Sequence, residues 1–233
     1  MESLLGRTKN ERDSQSFEGL QERKNDLRIL HGSEIDRHTI RQTFEIDRVT
    51  YPSEFCGSAE HALSMFAVEP SIYTVAVSSR TKELIGYCCA IPLYDEYYDL
   101  VAAGKCLDID LPPEAIRSYR EPGNYKMCLS FVAVLPSYSE GLASKALFVG
   151  YLQKLLGLAD KGIFLSHLVV DAVTPKGKGL CVGLQLDQLG PSEHHSTIFV
   201  SEINPSSRLL SANSTLVARY AEHFRKVGEK KVA

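Results

Sequence analysis

The 233-residue sequence is short of several things, and each shortage excludes a class of function. Positive charge is not in excess. With 26 Lys and Arg against 29 Asp and Glu the net charge is −3, which leaves no basic field for a nucleic acid. No apolar run is long enough to span a membrane. The chain begins Met1-Glu2-Ser3 and turns polar at once, without the apolar core of a signal peptide. Six cysteines (Cys56, Cys88, Cys89, Cys106, Cys128 and Cys181) form no Cys-x-x-Cys pair. That speaks against a zinc site or a disulfide framework and for a reducing, cytoplasmic setting. Cys88, Cys89 and Cys128 fall inside apolar runs, as small buried residues do. Gly-x-Gly-x-x-Gly and Gly-Lys-Ser/Thr are both missing, so a nucleotide-binding α/β domain would lack its fingerprint. No internal repeat, low-complexity segment or metal-ligating cluster is visible.

What is present is a hydrophobic content of 44%, enough for one domain with decorations. Residues 1–25 are polar and charged and read as a flexible arm. The domain then runs over 26–204. Leu27 to Leu30 looks like a strand, and Ser33, with Asp36 three residues on, is a candidate cap for a helix that lasts until Tyr51-Pro52. A second helix spans Ser58 to Val68. Tyr73–Val77 and Leu84–Ile91 form a hairpin by alternation and turn residues. An insert over 92–124 is long enough to hold a helix or two of its own. Phe164 to Val173 is another apolar strand, and Thr174-Pro175 opens a short helix as cap and first residue. Ser196 to Ile203 closes the sheet. Over 205–233 an apolar stripe from Leu209 to Phe224 marks a C-terminal amphipathic helix and tail, which packs on the domain or on a second copy, as in a homodimer.

The chain is organised around Val132 to Leu147. Met127 to Leu135 is a nearly unbroken apolar strand stopped by Pro136, and Ala143, Leu147, Tyr151, Leu155 and Leu158 recur at helical spacing. A strand, a polar turn and a helix start direct free backbone N–H groups and a positive helix end into one small space. A pyrophosphate suits that space.

Pro136, then Gly141-Leu142-Ala143, then Leu147 resembles the cofactor-binding segment of the GCN5-related N-acetyltransferases. Tyr138 stands where that family has Arg or Gln, and the gap from Pro136 to Gly141 is one residue short. Leu84-Ile85-Gly86-Tyr87 is similar to the family's third strand, and Thr174 to Cys181 to the segment after its fifth. The order of elements over about 27–203 agrees as well. The resemblance implies an α/β fold: a mixed, mostly antiparallel sheet with one parallel, splayed strand pair and helices on both faces. It implies an acetyl-CoA-dependent N-acetyltransferase acting on a primary amine by direct attack in a ternary complex. A coenzyme-binding module without activity is the alternative.

The resemblance also implies roles. The backbone of Val132, Ala133 and Val134 would meet the pantetheine arm past Ala133, where two parallel strands part, although the same residues also read as plain sheet core. Ser139, Glu140, Gly141, Leu142, Ala143 and Ser144 would hold the pyrophosphate. Cys181 stands in the place of the family's Tyr that protonates the leaving thiolate; as a residue it reads equally as small core packing. Asp95, Glu96 and Tyr97 follow the third strand, where the amine is expected to enter, and Asp95 and Glu96 also fit a solvated charge run. His167 reads as a core histidine, and the acceptor's identity is not written in the sequence.

Overall fold

A computed structural model describes residues 27–138 and 141–232, with the side chains of 230–232 set aside. The expected arm over 1–25 lies outside the described residues. The strands are β1 (Leu27–His31), β2 (Tyr73–Ser78), β3 (Leu84–Leu93), β4 (Gly123–Val134), β5 (Ile163–Ala172), β6 (Asp187–Pro191) and β7 (Thr197–Glu202). The helices are α1 (Arg37–Thr50), α2 (Ala59–Val68), α3 (Asp95–Ala102), α4 (Leu142–Ala159), α5 (Pro175–Gly183) and α6 (Ser214–Val232). No helix among the described residues is long and apolar enough to cross a membrane.

All seven strands join one sheet in the order β1-β2-β3-β4-β5-β7-β6. Every neighbouring pair is antiparallel except β4 and β5, which are joined through α4 and run parallel. A strand–helix–strand connection demands that arrangement. Alternation along the strands divides the core between the two faces. Ile40, Leu63, Tyr87, Cys89 and Val101 pack on the face covered by α1, α2 and α3. Cys88, Leu129, Tyr151, Leu155 and Tyr220 pack on the face covered by α4, α5 and α6.

Helix ends follow local chemistry. Asp36, not Ser33, caps α1 by accepting the Thr39 N–H at 2.7 Å, because Ser33 is already part of a 3-10 turn over Gly32–Glu34. Thr174 caps α5 as the sequence predicts, accepting the Gly177 N–H at 3.0 Å with Pro175 in the first turn. Asn213 accepts the Leu216 N–H at 3.0 Å at the start of α6, so Leu209 and Leu210 pack ahead of that helix and not on it. The short edge strand β6 was not legible from periodicity: Asp187, Gln188 and Leu189 are all exposed.

Candidate active site

β4 and β5 pair from Gly123↔Ile163 as far as Cys128↔Val169 and then part. β4 continues to Val134 and β5 to Ala172. The divergence therefore comes earlier than the expected point past Ala133. A bulge explains the shift. On its other edge β4 pairs Leu129 with Ala90 and Phe131 with Cys89, which leaves Ser130 as an extra residue. A bulge bends its strand and increases its twist, so β4 leaves β5 where Ser130 is inserted.

A cleft of about 820 Å³ fills the opening. It passes between the strands and is lined from both faces of the sheet. At one end stand Pro136 and Ser144 beside the start of α4, and Thr174, Pro175, Lys176 and Gly177 at the start of α5. The start of α4 carries no side-chain cap: its first intrahelical bond is Lys145 N–H to Gly141 O, and Gly141 sits at φ +103° with open space where a Cβ would project. Among the described residues no side chain accepts from the first N–H groups of α4. Leu129, Leu147, Phe148, Tyr151, Leu180 and Leu184 supply apolar walls.

The other end is acidic. Ser130 donates its hydroxyl to Asp108, which the insert brings back over β4. Asp171, two positions past the last β4–β5 pair, lines the cleft opposite, and its Oδ1 has no hydrogen-bond partner. Burial raises Asp108 to about 6, with the charge of Asp171 adding to the rise and the Ser130 hydroxyl opposing it. Asp171 is also raised by burial, against the Ser196 hydroxyl and His194, which pull it down. A narrow slot of about 30 Å³ continues from Asp108, Ser130 and Phe131 toward α1 and α2. Asp47, raised by burial to about 7, accepts there from the Tyr87 hydroxyl. Tyr51, just past α1, crosses the cleft mouth. Its ring meets Phe131 edge-on at 5.4 Å, and its hydroxyl donates to the Val132 carbonyl at 3.1 Å.

Among the residues singled out from sequence, Val132, Val134 and Ser144 line the cleft. Ala133 and Ala143 are buried and do not line the cleft. Gly141 and Leu142 form the start of α4, and Ser139 and Glu140 lie outside the described residues. Cys181 is 1% exposed, faces the core beneath α5 and not the cleft, and its thiol is pushed up to about 11 by burial. Asp95, Glu96 and Tyr97 lie on α3, away from the cleft lining. Asp95 and Asp99 reach Lys126 at 3.5 and 3.3 Å on the surface. The sequence reading missed Asp47, Asp108, Ser130 and Asp171. For Ser130 and Asp171 a signal exists: each is a lone polar residue inside an apolar strand.

A parallel pair opened by a bulge, with a helix start at one end of the gap, can be compared with known structures. No family model matches the sequence, and no curated protein sequence matches it. The loading GNATL domain of CurA from Lyngbya majuscula superposes with a TM-score of 0.52, over 76% of this chain and 97% of that one, at 9% identity. The GphF GNAT-like decarboxylase, solved with isobutyryl-CoA, gives 0.50 at 12% identity, over 75% and 98%. The NatC complex bound to Gag peptide and CoA gives 0.50 at 8% identity, over 77% and 99%. This is the fold of the GCN5-related N-acetyltransferases. In this chain the β4–β5 gap is apolar on one face and acidic on the other.

Proposed function

We propose that the protein transfers an acyl group, acetyl in the first instance, from an acyl-CoA to a primary amine. One observation carries the reading: the gap between β4 and β5 passes through the sheet, with helix starts at one end and buried carboxyls at the other. The uncapped start of α4 suits a pyrophosphate, with Ser144 and the neighbouring turn around it and Lys176 close by. The free edge of β4 from Leu129 to Val134 suits a pantetheine arm lying as an added strand against Val132 and Val134. Tyr51 holds the Val132 carbonyl, so a pantetheine amide that claims it displaces the tyrosine hydroxyl.

The reacting carbonyl then falls near the point where the strands part, beside Ser130 and Asp171. The amine enters from the acidic face. It arrives as an ammonium and first gives up one proton to bulk water. The neutral nitrogen attacks the thioester carbon, the C–N bond forms, and Asp171 takes the nitrogen's second proton. The C–S bond breaks, and the thiolate takes that proton from Asp171 and leaves as the thiol. Burial raises the Asp171 carboxyl, which makes it a stronger base than an ordinary carboxylate while it can still return the proton. Cys181 holds its proton too tightly and faces the wrong way for that step.

The test is thiol release from acetyl-CoA with a panel of primary amines, together with calorimetric binding of coenzyme A. Amine-dependent, steady release is the expected outcome. Coenzyme binding without release would leave a coenzyme-binding module, and no binding at all would remove the reading altogether.

A further inference from the structure

Three carboxyls line the acidic face in sequence, from Asp171 at the strand divergence through Asp108 to Asp47 in the slot. They are close enough to act on one another: Asp171 makes Asp108 harder to ionise, and Asp108 does the same to Asp47. None takes part in an ion pair among the described residues. One buried and two half-buried acids without a cation are costly to ionise unless a ligand supplies the opposite charge. A metal ion does not fit: no group of three His, Cys, Asp or Glu among the described residues converges well enough to hold one. Transfer through Asp171 uses only one of the three. Asp47 and Asp108 remain, and they line a small slot with room for a primary ammonium. Its walls include Phe44, Tyr73, Tyr87 and Phe131, aromatic faces that suit an ammonium. His61, which also lines the slot, is shifted by burial toward its neutral form, and burial holds Tyr73, Tyr87 and Cys89 in their neutral forms as well.

We propose that the acceptor is a short linear diamine or polyamine, whose near nitrogen reacts beside Asp171 and Ser130 while its distal ammonium sits in the slot between Asp47 and Asp108. This rests on the acyl-transfer reading of the cleft and adds the acceptor's class. A monoamine of equal length would fill the same path and leave the slot's acids unpaired. A bulky aromatic amine would not enter the slot.

The experiment compares 1,4-diaminobutane with butylamine on the full chain. It follows thiol release from acetyl-CoA, and calorimetric binding in the presence of desulfo-coenzyme A, which cannot turn over. The kcat/KM for the diamine is expected to exceed that for butylamine by on the order of 100-fold, the scale of one buried charge pair. D47N is expected to cut that ratio by about tenfold or more, mainly through KM. Equal kcat/KM for the two amines overturns the proposal, as does equal binding of both beside desulfo-coenzyme A. A D47N or D108N variant that melts cooperatively and keeps the full ratio overturns it too. Should neither variant fold, the comparison of the two amines on the unaltered chain decides alone. Diamine-selective binding without thiol release supports the slot and removes the transfer reading instead.

Discussion

Asp171 and Cys181 lie on successive elements, β5 and α5, and burial raises both, yet only one lines the cleft. Asp171 has an unpartnered Oδ1 and sits where β4 and β5 part. Replacing it by Asn keeps the size and removes the proton carrier. D171N is expected to lower kcat by about 10²- to 10⁴-fold while coenzyme affinity stays within a few-fold. Single-turnover rates beside calorimetry check this, and an undiminished kcat would exclude Asp171 from proton transfer. The two roles that the sequence allows Cys181 separate in the same way. As core packing beneath α5, C181A should lower stability by about 1–2 kcal/mol and leave kcat alone. A large loss of kcat with an unchanged melt would restore the thiol as an acid.

At the level of elements, the site depends on how β3 holds β4. A Cβ at Gly86 would stand 2.7 Å from the Ala133 carbonyl oxygen and 2.9 Å from Val134 Cγ2. Both contacts lie on the stretch of β4 whose far edge faces the cleft. G86A should therefore push that edge toward the gap, weakening coenzyme binding and costing about 1–3 kcal/mol of stability. Calorimetry and a denaturant melt check it, and a variant with wild-type affinity would show the edge to be indifferent to its partner. The Ile85-Gly86 pair was visible in the sequence, and so were the long strands and α4, because their apolar periods exceed what a turn can imitate. The parting of β4 and β5 was visible only as to its existence. Its position is set by a one-residue register change opposite Ala90 and Cys89, which no single-strand pattern records. Asp108 was hidden for a related reason. It belongs to a polar insert, and only the insert's return across β4 makes it part of the site.

For the molecule as a whole, a site built from buried acids has a cost in stability that pH reveals. Asp47 is raised from 3.8 to about 7 in the folded chain, and Asp108 from 3.8 to about 6. A folded state that binds a proton more tightly than the unfolded chain is favoured at low pH. That advantage is complete below about 4 and is lost as pH rises through the folded values, up to about 7. For Asp47 the loss is on the order of 2–4 kcal/mol. His31 and His61, both lowered by burial, act in the opposite sense, adding stability as pH climbs toward their ordinary value of 6.5. The overall pH profile therefore mixes signs, and the contribution of Asp47 is read from the difference between two proteins. In D47N the amide oxygen still accepts the Tyr87 hydroxyl, but nothing ionises. The variant and the wild type should melt together below about pH 4, where Asp47 is protonated in the folded and the unfolded chain alike. At pH 8 D47N should melt higher, by roughly 5–10 °C for a chain of this size. Differential scanning calorimetry at the two pH values checks this. Equal melting at both would mean that Asp47 ionises without hindrance, and the acidic slot would then have no unmet need for a cation.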